Sequence, residues 1–221
     1  MRFADRSDAG RRLAKAVAER VAGRPDLART APVVLGLPRG GVPVGAEVAR
    51  ELGAPLDVLV VRKLGLPGQP ELAMGAIAGV AGEIDVVRND AVLALSPVDE
   101  ESFQEVYAAE VTELRRRESA YRGDRPPATV AGCTTVVVDD GLATGATMRA
   151  AVAAVRHGRP AAVVVAVPVG SRDTCARLAG EVDEVVCLTT PRAFTAVGQA
   201  YIDFSPTSDD EVRRALSEVS G

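Results

Sequence analysis

Four valine-rich runs set the main constraint on this chain: PVVLGL (32–37), LDVLVV (56–61), TTVVVD (134–139) and AAVVVAVPV (161–169). A strand with one wet face alternates apolar and polar residues. These runs are apolar at consecutive positions, the pattern of strands covered on both faces. Helix-period segments separate them. Residues 42–52 carry Val42, Ala46, Ala49 and Leu52 on one stripe, and Gly53 is the stop. Residues 146–157 carry Met148, Ala151, Val152 and Val155, with His157 in the last turn and Gly158 as the stop. EVVCLT (184–189) reads as one more strand. Strand, helix, strand in repetition predicts parallel strands joined by crossover helices. The expected fold is α/β, a central, mainly parallel, twisted sheet with helices on both faces. Ligands of such sheets bind at the carboxyl ends of the strands.

Other stretches fall outside that alternation. AMGAIAG and EIDVVRN, on either side of Val80–Gly82, read as a hairpin. Asp99–Tyr121 reads as a long helix, acidic at its start and basic near its end, which suits the helix dipole. Its stripe of Phe103, Tyr107, Val111, Leu114 and Tyr121 packs on its own domain, or serves as a dimer contact or a cover for the site. RGDRPPATVAG (122–132) is a linker by composition, with the mobility such a composition brings. Ser208 and Glu211 have capping-box spacing before a short last helix. A length of 221 residues suits one domain over 1–221, with a core at about 30–190 and a helical insertion at about 90–125.

Composition excludes several classes. The net charge of −4 argues against a general nucleic-acid binder. No run approaches the roughly 18 apolar residues of a spanning helix, and the charged N-terminus lacks the apolar core of a signal peptide. Cys133, Cys175 and Cys187 are too few and too scattered for a disulfide frame or a zinc site. The expectation is a cytoplasmic protein with reduced thiols.

Chemistry concentrates in VVVDDGLATGAT (136–147). Asp139 and Asp140 stand side by side at a strand end, where they repel each other. After them come Gly141, Ala143, Thr144, Gly145, Ala146 and Thr147, and a helix begins there. A helix start presents unpaired N–H groups and partial positive charge. The glycines let the backbone curl so that those groups converge, and the threonines add hydroxyls. This is a cradle for a phosphate. Two neighbouring acids accept from the vicinal hydroxyls of a ribose, or hold Mg²⁺ directly or through its waters. A ribose 5-phosphate moiety satisfies both halves together.

Four apolar residues, two acids and a Gly/Thr loop resemble the 5-phosphoribosyl-1-pyrophosphate (PRPP) signature of type I phosphoribosyltransferases. LATG is most similar to the adenine-type enzymes, and the chain resembles a bacterial group of such domains sometimes fused to a hydrolase. The resemblance spans roughly residues 30–205 and implies PRPP as a ligand and Mg²⁺ as the metal. It implies a pyrophosphate loop at GLPRGGVP (36–43), with Gly40, Gly41 and Arg39 on the leaving group and often a strained or cis peptide. Arg62 and Lys63 of VVRKLG add charge there. FTAVGQAYIDF (194–204) is similar to the hood of purine enzymes, expected over about 190–206. There Phe194 or Tyr201 stacks on the base and Asp203 reaches the metal. Glu71 is a further candidate base contact. Ala143 stands where hypoxanthine- and guanine-type enzymes have an acid, while adenine- and orotate-type enzymes also have alanine.

The implied activity is a Mg²⁺-dependent transfer of 5-phosphoribosyl from PRPP to a nitrogenous base, with release of pyrophosphate. A non-catalytic PRPP or nucleotide-binding regulator and a PRPP or nucleotide hydrolase stand as alternatives. The implied partners are PRPP and a nucleobase-like acceptor, without membrane or nucleic acid. These folds commonly pair, so a homodimer stays open.

Overall fold

The computed structural model describes residues 2–219. In chain order it contains α1 (Arg6–Ala22), α2 (Pro25–Ala28), β1 (Pro32–Gly36), α3 (Gly41–Leu52), β2 (Leu56–Val58), β3 (Val61–Leu66), β4 (Gln69–Val80) and β5 (Glu83–Arg88). There follow α4 (Asp90–Ala94), α5 (Glu100–Arg122), β6 (Thr134–Val138), α6 (Ala146–His157), β7 (Ala162–Val169), α7 (Arg172–Leu178), β8 (Glu184–Thr189), a 3-10 turn (Val197–Ala200) and α8 (Asp209–Val219).

β2-β1-β6-β7-β8 form one sheet, parallel throughout. Successive side chains of a strand point to opposite faces, and here both faces are covered. Val34, Val136, Val138, Val164 and Ala166 pack with Leu13 and Val17 of α1 and Val42 and Val48 of α3. Val33, Val137, Val163, Val165 and Val167 pack with Met148, Ala151 and Val155 of α6 and Leu178 of α7. Burying each such side chain contributes about 1.5–3 kcal/mol, which is why the runs carry no polar alternation. From β1 the chain moves outward to β2, and from β6 it moves the other way to β7. The carboxyl ends of β1 and β6, aligned with Gly36 opposite Val138, therefore flank the point where strand order reverses.

The expected strand at 56–61 divides. β2 ends at Val58 in the parallel sheet, and β3 begins at Val61 in a second, antiparallel sheet of order β3-β4-β5. Leu59 N–H still donates to Gly36 O (3.0 Å), whereas Val60 O accepts from Gly79 of β4 (3.1 Å). Both residues are buried, so an unbroken apolar run hides the change of sheet. The expected hairpin is β4–β5, and β3 adds a third strand through a turn at Gly68.

α1 was not expected. Ala9, Leu13 and Val17 form its buried stripe, Asp5 caps it by accepting from Asp8 N–H (2.7 Å), and the arginines around the stripe mask its period. α5 packs on its own chain, with Phe103, Leu114 and Tyr121 in one core with Leu64, Met74 and Ile77 of β3 and β4. The stretch 122–132 is pinned rather than free. Ala128 N–H donates to the buried Asp57 (2.9 Å), and Val130 is buried. The capping box at Ser208 and Glu211 closes in both directions, at 2.7 and 3.2 Å. No helix among the described residues is long and apolar enough to cross a membrane.

Candidate active site

β6 delivers its acids and loop to the switch point. Leu142 anchors the loop, its N–H donating to Val169 O and its carbonyl accepting from Ser171 N–H, both at 2.8 Å. Thr174 Oγ1 donates to Ala143 O (2.8 Å). Gly145 precedes α6 with φ 77°, a left-handed conformation that favours glycine. A Cβ there would also lie 2.5 Å from Thr174 Cγ2. Among the described residues, the N–H groups of Ala143, Thr144, Gly145, Ala146 and Thr147 donate to no backbone or side-chain acceptor, and α6 has no side-chain cap. Ala143, Thr144, Ala146 and Thr147 are exposed. These are the requirements for an anion cradle at a helix start.

The acids sit just before it. Asp139 Oδ1 accepts from Asp140 N–H (2.8 Å). Burial, and then the neighbouring Asp140 charge, push Asp139 well above the usual carboxylate range. Burial also raises Asp140, and Arg6 offsets part of that rise. Arg6 Nε donates to Asp140 Oδ2 (2.8 Å), with the two side chains only 13% and 15% exposed. Tyr201 OH donates to Asp140 O (2.6 Å). The loop after β1 closes on the same spot. A Cβ on Gly40 would fall 1.9 Å from Asp140 Oδ2, and one on Gly41 would fall 2.5 Å from Val138 O. Only glycine permits this approach. The Pro38–Arg39 peptide is cis, as the resemblance implied.

Not every expected residue arrives at this point. Arg39 is exposed and lies 3.9 Å from Asp209 at the start of α8. Arg62 donates to Glu110 of α5 (2.7 Å). Lys63, next on β3, is exposed, and strand alternation sends it to the opposite face from Arg62. Glu71 lies exposed near the start of β4. Asp203 Oδ1 accepts from Ser205 Oγ (2.6 Å) and N–H (2.9 Å), which hold its carboxyl below the ordinary value. Tyr201 is not free to stack on a base. It is 1% exposed, with its ring 5.6 Å from Phe3 and 4.9 Å from Phe204. Phe194 is half-buried and lines a cleft of about 360 Å³ with Ser171, Arg172, Asp173, Pro191 and Arg192. Arg6 escaped the sequence reading, because nothing in a helix start so far from the acids signals that the two meet.

The donor set has the character a hard dication needs. Magnesium takes one or two carboxylates and fills its shell with water and substrate oxygens, a share that Asp139 and Asp140 would supply. No group of three or more His, Cys, Asp or Glu converges among the described residues.

The family model for the phosphoribosyl transferase domain matches residues 5–204. The chain belongs to the phosphoribosyl transferase family. It is 52% identical over 211 residues to "Putative phosphoribosyl transferase Rv0571c" of Mycobacterium tuberculosis, a match covering 95% of this chain and 45% of that protein. A counterpart from a second strain of that species matches to the same extent. The chain thus spans about half the length of the curated relatives it matches. Among solved structures, TT1426 from Thermus thermophilus shares 44% identity at a TM-score of 0.83, covering 100% of both chains. The phosphoribosyl transferase match takes in Arg6, both loops at the switch point and the segment through Phe204.

Proposed function

We propose that this chain is a Mg²⁺-dependent phosphoribosyltransferase that moves 5-phosphoribosyl from PRPP to a nitrogenous base and releases pyrophosphate. One observation carries the reading: two adjacent acids and a run of unpaired backbone N–H groups share the end of β6, with the Gly40–Gly41 loop against them. The cradle at 143–147 takes the 5-phosphate. Asp139 and Asp140 take the ribose hydroxyls. The glycine loop takes the pyrophosphate, which leaves with the electron pair of the C1–O bond as the base nitrogen bonds to C1. Magnesium, when bound, adds positive charge to that leaving group.

The protein itself performs little covalent chemistry. It holds the sugar in line and stabilises departing charge with fixed donors. The Phe194 ring supplies a flat face for the acceptor, in a cleft otherwise lined mainly by the polar Ser171, Arg172, Asp173 and Arg192. Lys63, Arg39 and Asp203 contribute only if their side chains turn toward bound substrate.

The test is pyrophosphate release from PRPP across a panel of purine, pyrimidine and other heterocyclic bases, with Mg²⁺ and with a chelator. Base-dependent, chelator-sensitive release is the expected outcome. PRPP binding with no release anywhere in the panel would instead mark a binding regulator. Release without any base would mark a hydrolase.

A further inference from the structure

We propose that Arg6 is a ligand for the pyrophosphate of PRPP and exchanges Asp140 for that group when substrate enters. This rests on the phosphoribosyltransferase reading above. The glycine loop offers backbone donors, but the Arg39 side chain lies exposed, 3.9 Å from Asp209, and Arg62 is paired with Glu110 (2.7 Å). Arg6 is a guanidinium that the fold packs against Gly40 of the loop. Its Nε lies 2.8 Å from Asp140 Oδ2 and would be 3.0 Å from a Cβ on Gly40. It therefore stands over the pyrophosphate loop and against a carboxylate that the ribose requires.

The surroundings aim the side chain and leave it capacity. Nη1 donates to Ser205 O (2.7 Å), and the guanidinium lies over the Phe204 ring, 4.1 Å from its centroid. Nη2 finds no acceptor among the described residues. A planar fork with spare N–H groups matches phosphate oxygens bidentately. In the exchange, Arg6 trades a single carboxylate charge for a more highly charged diphosphate, and the freed Asp140 accepts from a ribose hydroxyl. No covalent bond changes. The rival explanation is that Arg6 only braces Asp140.

Ribose 5-phosphate separates the two, because it carries the hydroxyls and the 5-phosphate but no pyrophosphate. Calorimetry with Mg²⁺ would compare PRPP and ribose 5-phosphate on the native chain, Arg6→Gln and Arg6→Lys. Arg6→Gln is expected to weaken PRPP about tenfold or more and ribose 5-phosphate less than about threefold, the scale of one charge-assisted contact. Arg6→Lys keeps a cation beside Asp140 and so guards against loss of fold. It loses the fork, and the preference for PRPP over ribose 5-phosphate is expected to fall partway. An equal loss for both ligands, or an unchanged preference in Arg6→Lys, would overturn the proposal and leave the transferase reading intact. Failure of the native chain to bind PRPP would sink both.

Discussion

Asp139 is held where its charge is unfavourable, partly buried and beside a second acid. The folded chain therefore binds a proton there more readily than the unfolded chain does. Between the ordinary carboxyl range and the raised folded value, the folded state carries more protons, so stability falls as pH rises through that window. Asp139→Asn removes the charge and keeps the shape. It is expected to stabilise the unliganded protein at pH 8, and the gain is expected to shrink as pH falls toward about 4, where the carboxyl is itself protonated. Urea denaturation at a series of pH values reads this directly. A gain that grows on acidification would contradict it. The same variant is expected to lose PRPP affinity, because an amide neither accepts from two hydroxyls as a carboxylate does nor ligates Mg²⁺ comparably. That pairing of outcomes, a gain in stability with a loss of affinity, is the mark expected of Asp139 if it holds the sugar as proposed above.

At the scale of elements, α5 is latched to the parallel sheet by one acid. Asp57 of β2 accepts from Arg122 Nε (3.0 Å), from Val58 N–H (2.8 Å) and from Ala128 N–H (2.9 Å) while only 6% exposed. Asp57→Ala leaves Arg122 with the more distant Glu118 (3.6 Å) and leaves the Ala128 N–H without its acceptor, and is expected to cost about 1–3 kcal/mol in denaturant unfolding. The helix itself was legible from its stripe of Phe103, Leu114 and Tyr121, since a period of 3.6 shows which face is covered. The latch was not, because Asp57 and Arg122 are 65 residues apart and one acid in an apolar run carries no address. The same limit hid the end of β2: Leu59 and Val60 are apolar in either sheet. The segment after β8 divides in a similar way. Its aromatic content was readable, yet Tyr201 turned inward against Phe3 while Phe194 lines the cleft. Phe194→Ala is accordingly expected to raise the KM for the acceptor severalfold and leave PRPP affinity unchanged, as measured by initial rates and calorimetry. A matching loss of PRPP affinity would place Phe194 at the sugar instead.

Across the whole molecule the site is assembled from segments distant in sequence. The acids and their loop were visible as one stretch, because strand, carboxylates and helix start follow each other without interruption. The glycine loop was visible because β1 had to end there. Arg6 meets Asp140 across 134 positions, a contact made only when the first residues fold against the segment after β8. Phe3 bridges to Tyr201, Ile202 N–H donates to Phe3 O (2.8 Å), and Asp203 N–H donates to Ala4 O (2.9 Å). That closure leads to the site through Tyr201, whose hydroxyl holds the carbonyl of Asp140. Phe3 is fully buried, and Phe3→Ala is expected to cost about 3–5 kcal/mol. If closure also shapes the site, the variant loses more than stability. A ligand at a hundred times its Kd stabilises the folded state by about 2.7 kcal/mol, which for a chain of this size is roughly 5–10 °C in Tm. At one fixed concentration of PRPP and Mg²⁺, Phe3→Ala is expected to show a smaller rise in Tm than the native chain, because weaker binding lowers the ratio of ligand to Kd. An equal rise from a lowered starting Tm would show that the joined ends support the fold without shaping the site.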